Sequence, residues 1–226
     1  MSIPAARPAL NAIEPDAAGF VLAGGRSSRM GVDKALIQLG GEPLIAHALG
    51  ILREAGLPAS IAGGQMGLSA FAPVVADRQP GLGPLSGICA ALASTSVQWA
   101  VFLSVDLPLL PASLLDWLLR RAEITGRAVT VPSVNGFAQT FPAVVARAAL
   151  PVLERELESG RRGCFSAFRA AAGSLGEQIA VVPVEPLVQC GQIAHPRSLP
   201  AACWFLNVNT GDDLRRAEVR SRSSIA

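Results

Sequence analysis

Short apolar runs alternate along the chain with longer stretches in which apolar residues recur every three or four positions. Residues 19–22 form the first apolar run, which stops at the paired glycines Gly24 and Gly25. Residues 43–55 follow a helical spacing and end at Gly56, a residue suited to the left-handed turn that closes helices. Residues 59–62 and 74–76 read as short strands, and 84–93 as a helix with proline near its start. Residues 99–105 make an apolar strand that runs into Asp106. Leu114, Leu115, Leu118 and Leu119 set a helix over 113–124. Residues 128–134 and 141–145 flank Asn135-Gly136, a dipeptide that favours a tight hairpin. A helix over 150–159 closes at Gly160, and 178–184 reads as another strand. Residues 186–202 carry three prolines and are expected to be irregular. The chain finishes with an expected strand over 204–208 and a polar helix from about Asp212.

This order implies an α/β fold, a Rossmann-like three-layer arrangement with a mostly parallel sheet and one antiparallel hairpin. Ligands of such sheets bind outside the carboxyl ends of the strands. Gly24, Asp77, Asp106 and Asn207 all fall at or near such ends. Chain length fits one domain, read as 18–217, with an N-terminal extension over 1–17 and a polar tail over 218–226. Half of the 226 residues are apolar and 16% are charged, as strands buried on both faces require. A formal net charge of +2 gives no reason to expect a nucleic-acid partner. No apolar run reaches the roughly 18 residues of a membrane span, and no secretory leader is evident, so a cytoplasmic protein is expected. The four cysteines show no CxxC spacing and read as reduced, mostly buried thiols.

Chemistry concentrates after the first strand. Gly24 and Gly25 can expose backbone N–H groups to a phosphate, and Arg26, Arg29 and Lys34 add three cations within ten residues. The pattern is neither the dinucleotide fingerprint nor the Walker A loop. Asp106, alone at the end of an apolar strand, suits Mg²⁺, which takes one or two protein carboxylates and completes its shell with water and phosphates. Helix capping is the plainer role for that aspartate. Asp77 precedes the glycine-rich Pro80-Gly-Leu-Gly-Pro-Leu-Ser-Gly87, either beside a ligand or as a surface residue before a turn. Asn207 and Asn209 would share one side of an extended segment, where amides can both donate and accept. Thr210 or Asp212 can instead cap the final helix. His47 falls inside an amphipathic helix and reads as structural. His195 has no partner at metal-ligand spacing. Arg161 and Arg162 read as solvated charge, with an anion contact as the alternative.

Leu22-Ala-Gly-Gly-Arg-Ser-Ser-Arg-Met-Gly-Val-Asp-Lys34 resembles the LAGGxSxRMGxDK signature of molybdenum cofactor guanylyltransferases and their nucleotidyltransferase relatives. Leu39-Gly-Gly-Glu-Pro-Leu44, Gly83-Pro-Leu-Ser-Gly-Ile88 and Phe205-Leu-Asn-Val-Asn-Thr210 extend the likeness, which covers roughly residues 18–215. The resemblance implies transfer of GMP from GTP to molybdenum-molybdopterin. Leu22, Ala23, Gly24, Gly25, Lys34, Asp77 and Asp106 would then form the nucleotide site. Lys34, Arg29 and Asp106 would act in catalysis, Asp106 would hold Mg²⁺, and Asn207 and Asn209 would face the pterin. Molybdoenzymes or other cofactor-assembly proteins are the implied partners. Two alternatives stay open: a CTP-dependent or sugar-phosphate nucleotidyltransferase of the same fold, and a non-catalytic nucleotide-binding accessory protein. The chain departs from the family pattern at Gly211, where proline is usual, at Gln139-Thr-Phe-Pro142, and at Ile61-Ala-Gly-Gly64, which lacks an asparagine found in some members. The 186–202 stretch is also longer than typical.

Overall fold

The computed structural model describes residues 16–24, 33–63, 66–77, 79 and 81–222. Gly25 and Arg29 of the glycine-rich segment lie outside these residues, as do nearly all of the N-terminal extension and residues 223–226.

Strand β1 (Ala17–Leu22) is central. A single 3₁₀ turn (Lys34–Leu36) and a small hairpin of β2 (Gln38–Leu39) and β3 (Glu42–Pro43) lead into α1 (Leu44–Glu54). The hairpin turns on Gly40 and Gly41, both at positive φ. Next come β4 (Ala59–Ala62), β5 (Val74–Val75), α2 (Pro84–Ser94), β6 (Trp99–Ser104) and α3 (Ala112–Thr125). Then follow β7 (Val129–Val134), β8 (Phe137–Ala138), β9 (Ala143–Ala146), α4 (Leu150–Glu158) and α5 (Cys164–Ser174). The chain continues through β10 (Ala180–Pro183), α6 (Val184–Gln189), α7 (Ala201–Trp204) and α8 (Gly211–Arg222). Regular structure thus crosses both the 17/18 and the 217/218 boundaries drawn from the sequence.

The sheet order is β10-β7-β9-β6-β1-β4-β5, with β8 paired to β7. β9 runs antiparallel to both β6 and β7, while β1, β4, β5, β6, β7 and β10 run parallel. Burial on both faces follows from alternation. Phe20 and Leu22 of β1 enter one apolar cluster, with Leu85 and Ile88 of α2, Leu153 of α4 and Phe168 of α5. Val21 enters the other, with Leu49 and Leu52 of α1 and Leu115 and Leu118 of α3. Two helical layers therefore sandwich one sheet, as the three-layer expectation required.

Several elements differ from the sequence reading. The expected strand over 204–208 is instead the end of helix α7, followed by chain without regular structure. Trp204 is fully buried and its indole N–H donates to the Leu199 carbonyl at 2.8 Å, which anchors a helical turn opened by Pro200. Helix α6 occupies the start of the stretch expected to be irregular. Helix α5 has no counterpart in the sequence reading. Its buried side is mostly alanine, with Phe168 as the one large anchor. The Asn135-Gly136 turn forms with both residues at positive φ, 51° and 79°. Its return strand is split, however, into β8 and β9.

Candidate active site

The parallel strands deliver their carboxyl ends to one edge, and three side chains from distant segments meet there. Asp33 caps the 3₁₀ turn by accepting from the Ala35 N–H at 3.0 Å, which fixes the backbone that carries Lys34. Lys34 Nζ donates to Asp106 Oδ2 at 2.8 Å and to Asn209 Oδ1 at 2.5 Å. Asp106 stands two residues past β6. Its carbonyl accepts from the Val208 N–H at 3.0 Å, which ties the late segment to the sheet edge. The Lys34 and Asp106 side chains are only 21% and 17% exposed, so solvent screens this pair less than a surface pair. Asp106 Oδ1 is buried and has no hydrogen-bond partner among the described residues. A buried carboxylate oxygen without a donor is a favourable place for a cation. No cluster of three or more metal-ligating side chains occurs among the described residues.

A second group lies on the β4 and β5 side. The Ala23 N–H donates to the Ala62 carbonyl at 3.2 Å, so it continues the β1–β4 ladder. Gly24 follows directly, level with the end of β4. A Cβ on Gly24 would stand 2.5 Å from the Gly63 carbonyl oxygen, a contact with backbone that cannot move aside. Glycine at 24 is thus required by packing as well as by any ligand. Asp77 follows β5, and its carboxylate lies over Gly63 and Gly87, where Cβ atoms would sit 3.1 and 3.4 Å from Oδ1. Asp77 Oδ1 is buried without a partner among the described residues, and burial pushes the carboxyl pKa up from its ordinary value. The sequence marked Asp77 and the GPLSGI stretch. It could not show that Gly63 and Gly87 form the bed for the carboxylate.

In the late segment, Asn207 is exposed and Asn209 reaches Lys34. Reading Asn209 apart from the phosphate-side residues does not capture this contact, because Asn209 touches the same ammonium as Asp106. The capping role is present alongside it. Asp213 Oδ2 accepts from the Thr210 N–H at 2.9 Å, and Thr210 Oγ1 accepts from the Asp213 N–H at 3.2 Å, a reciprocal cap at the start of α8. The Thr210 hydroxyl and backbone N–H groups hold the Asp213 carboxyl below its usual range. Asp212 pairs with Arg215 instead.

His47, His195 and Arg161 have partners within the fold. His47 in α1 binds the Leu39 carbonyl at 2.8 Å. His195 is buried beside Trp204, and its Nδ1 accepts from the Arg197 N–H at 3.0 Å. Burial, then the nearby Arg197 charge, lowers its pKa. Arg161 pairs with Glu156 through two hydrogen bonds of 2.6 and 2.7 Å, so it is not poised for an anion. All four cysteines are free. Cys89 and Cys164 are buried, with pKa values pushed up to about 12 chiefly by burial, which leaves them unreactive. Cys203 is half-buried and Cys190 exposed, so the sequence overstated thiol burial. No helix among the described residues is long and apolar enough to cross a membrane.

A lysine–aspartate pair and an asparagine from the late segment meet at the carboxyl edge of a mostly parallel sheet sandwiched by helices, which defines an α/β protein. Solved enzymes that act on nucleotides share the fold. The 2-C-methyl-D-erythritol 4-phosphate cytidylyltransferase of Thermus thermophilus is 16% identical with a TM-score of 0.64, covering 90% of this chain and 98% of that one. The chain belongs to the MobA-like NTP transferase domain family, which matches residues 19–180, and it is accordingly a nucleotidyltransferase. A probable molybdenum cofactor guanylyltransferase of Pelotomaculum thermopropionicum is 31% identical over 92% of this chain and 95% of its own length. The molybdenum cofactor guanylyltransferase of Pseudomonas putida is 37% identical over 66% of this chain and 80% of its own. The structure of molybdopterin-guanine dinucleotide biosynthesis protein A from Archaeoglobus fulgidus aligns with a TM-score of 0.70 at 25% identity, covering 91% of this chain and 99% of that one.

Proposed function

We propose that the chain transfers GMP from GTP to the terminal phosphate of molybdenum-bound molybdopterin and releases pyrophosphate. The observation that carries this reading is the Lys34–Asp106 pair with Asp106 Oδ1 left open, set beside Gly24 at the carboxyl edge. Family membership and the names of the relatives support the choice of substrates.

The reaction forms a bond between an acceptor phosphate oxygen and the α-phosphorus of GTP, and it breaks the bond from that phosphorus to the bridging β-phosphate oxygen. The attacking oxygen is already anionic, so no strong general base is needed. The protein's task is positioning and charge neutralisation. An ammonium has three donors, of which Lys34 commits two to Asp106 and Asn209. The third remains for a phosphate oxygen. Gly24 supplies a backbone N–H, and the signature assigns further contacts to Gly25 and Arg29. Asp77, half-buried over Gly63 and Gly87, would face the nucleotide side. Asp106 Oδ1 would hold Mg²⁺, whose charge would lower the repulsion at the α-phosphate. Molybdoenzymes or cofactor-assembly proteins in the cytoplasm would receive the product.

Binding and turnover of all four nucleoside triphosphates, with Mg²⁺ and molybdopterin present, test the reading. A preference for GTP is expected from Leu22-Ala-Gly-Gly25. Equal use of the four, or a preference for CTP, overturns the guanylyl assignment.

A further inference from the structure

The hairpin that interrupts the antiparallel strand carries a phenylalanine that packing does not explain. Phe137 is 75% exposed. It sits directly after the Asn135-Gly136 turn and pairs with Val134 across the β7–β8 ladder. Three hydrogen bonds hold this turn. The Asn135 N–H donates to Glu185 Oε1 at 2.6 Å, the Gln139 N–H to the Pro132 carbonyl at 2.8 Å, and Gln139 Nε2 to the Phe137 carbonyl at 3.0 Å. The aromatic ring is therefore carried on a braced support and not on a loose tip.

Sheet register places this ring relative to the catalytic edge. Thr130 of β7 pairs with Val144 of β9, and Val144 pairs with Val101 of β6. β7 and β6 thus run in the same direction, and four residues further along both strands Val134 is level with Val105. Phe137, the partner of Val134, is level with the residue just before Asp106. Ser133 pairs with Pro183 of β10 on one side and with Ala138 of β8 on the other. β8 therefore lies on the β6 side of β7, in line with β9. Adjacent strands are about 4.8 Å apart. β8 is paired to β7 on that side, off the main strand path, and residues 139–142 link it to β9. Asp77 and Gly63 lie on the opposite flank, beyond β1. The nucleotide side and the Phe137 side accordingly bracket Asp106 and Lys34.

We propose that Phe137 is the platform on which the planar heteroaromatic ring of the phosphate acceptor stacks, and that it helps select an acceptor with such a ring. The inference rests on the acceptor named above. Stacking on a face is tolerant of the ring's exact substituents, so Phe137 supplies affinity for the ring class, while hydrogen-bonding groups orient it.

The test compares wild type, Phe137→Ala and Phe137→Trp. The readouts are the KM values for molybdenum-molybdopterin and for GTP, and the binding of a fluorescent pterin monophosphate, measured by quenching. An exposed hairpin position tolerates these changes with little effect on folding. Phe137→Ala is expected to raise the acceptor KM and weaken pterin monophosphate binding about tenfold, the order of a lost base–aromatic stack. The GTP KM should stay within about twofold, and Phe137→Trp should restore binding. Unchanged acceptor KM and pterin binding in Phe137→Ala, with pterin bound by wild type, overturns the platform alone. A change in oligomeric state without a change in acceptor KM also overturns it and assigns Phe137 to a protein contact. Failure of wild type to bind the pterin monophosphate or use molybdopterin, with GTP still bound, overturns the acceptor reading and the platform with it.

Discussion

Asn209 Oδ1 accepts from Lys34 Nζ at 2.5 Å and joins residues 175 positions apart in the chain. The same ammonium holds Asp106, so one lysine links the late asparagine segment to the end of β6. Two asparagines that share a motif therefore differ, since Asn207 is exposed and makes no hydrogen bond to either group among the described residues. Asn207→Ala is expected to weaken only the acceptor, by about 1–3 kcal/mol where its amide meets a buried partner in the complex. Asn209→Ala is expected to weaken both substrates by releasing Lys34. Separate KM determinations for GTP and acceptor check the difference, and identical effects of the two changes would refute it. Thermal unfolding separates both from the cap. Thr210→Ala should cost about 1 kcal/mol of stability, while neither asparagine change should.

Asp106→Asn keeps the shape and removes the charge that faces both Lys34 and the open Oδ1 position. Turnover is expected to vanish while the far-ultraviolet circular dichroism spectrum stays unchanged. Mn²⁺ bound in the presence of GTP, followed by electron paramagnetic resonance, should lose its protein-dependent signal. Retained metal binding and activity would place the cation elsewhere. Lys34→Ala should lower kcat/KM by roughly 30- to 1000-fold, the scale of a lost electrostatic stabiliser of about 2–4 kcal/mol. A loss below about threefold would assign Lys34 to structure alone.

Asp77 carries a stability cost that its position explains. Its carboxyl pKa is raised by burial, and its Oδ1 lacks a partner among the described residues. A carboxyl whose folded pKa exceeds its unfolded value binds protons more readily in the folded state. It therefore lowers stability as pH rises from the unfolded value of about 3.9 through the raised folded value. The full cost is present above the raised folded value. Asp77→Asn is expected to raise Tm at neutral pH, with the gain shrinking towards about pH 4, and to weaken GTP binding. A lower Tm at neutral pH would contradict the burial account.

His195 works in the opposite sense. Its pKa is lowered by burial and by Arg197, so the unfolded chain binds the extra proton more readily. Its contribution to stability is complete above the unfolded pKa of about 6.5 and is lost as pH falls through that value towards the lowered folded one. Protonation also takes Nδ1 from the Arg197 N–H it accepts. Tm should fall on acidification through this window, and His195→Gln should flatten that fall. An identical pH profile in the variant would remove His195 as its source.

The sequence by itself determined the parallel core strands, the helices with strong apolar spacing, the Asn135-Gly136 turn and the family of the chain. These rest on local rules: alternation within a strand, apolar recurrence within a helix, and glycine or asparagine where φ must be positive. Motif order also marked Lys34, Asp77, Asp106 and the two asparagines as candidates. Tertiary structure decided how they relate. That the Ala23 N–H is taken by Ala62, that Gly63 and Gly87 seat Asp77, and that Asn209 meets Lys34 all depend on strand order and crossover, which no local window contains. Helix α7 shows the same limit from the other side. Residues 204–208 have the apolar content of a strand, but the buried Trp204 indole bonded to Leu199 favours a helical turn there. The energy that chose it comes from the pocket the rest of the chain builds around Trp204, so only the assembled fold could set it.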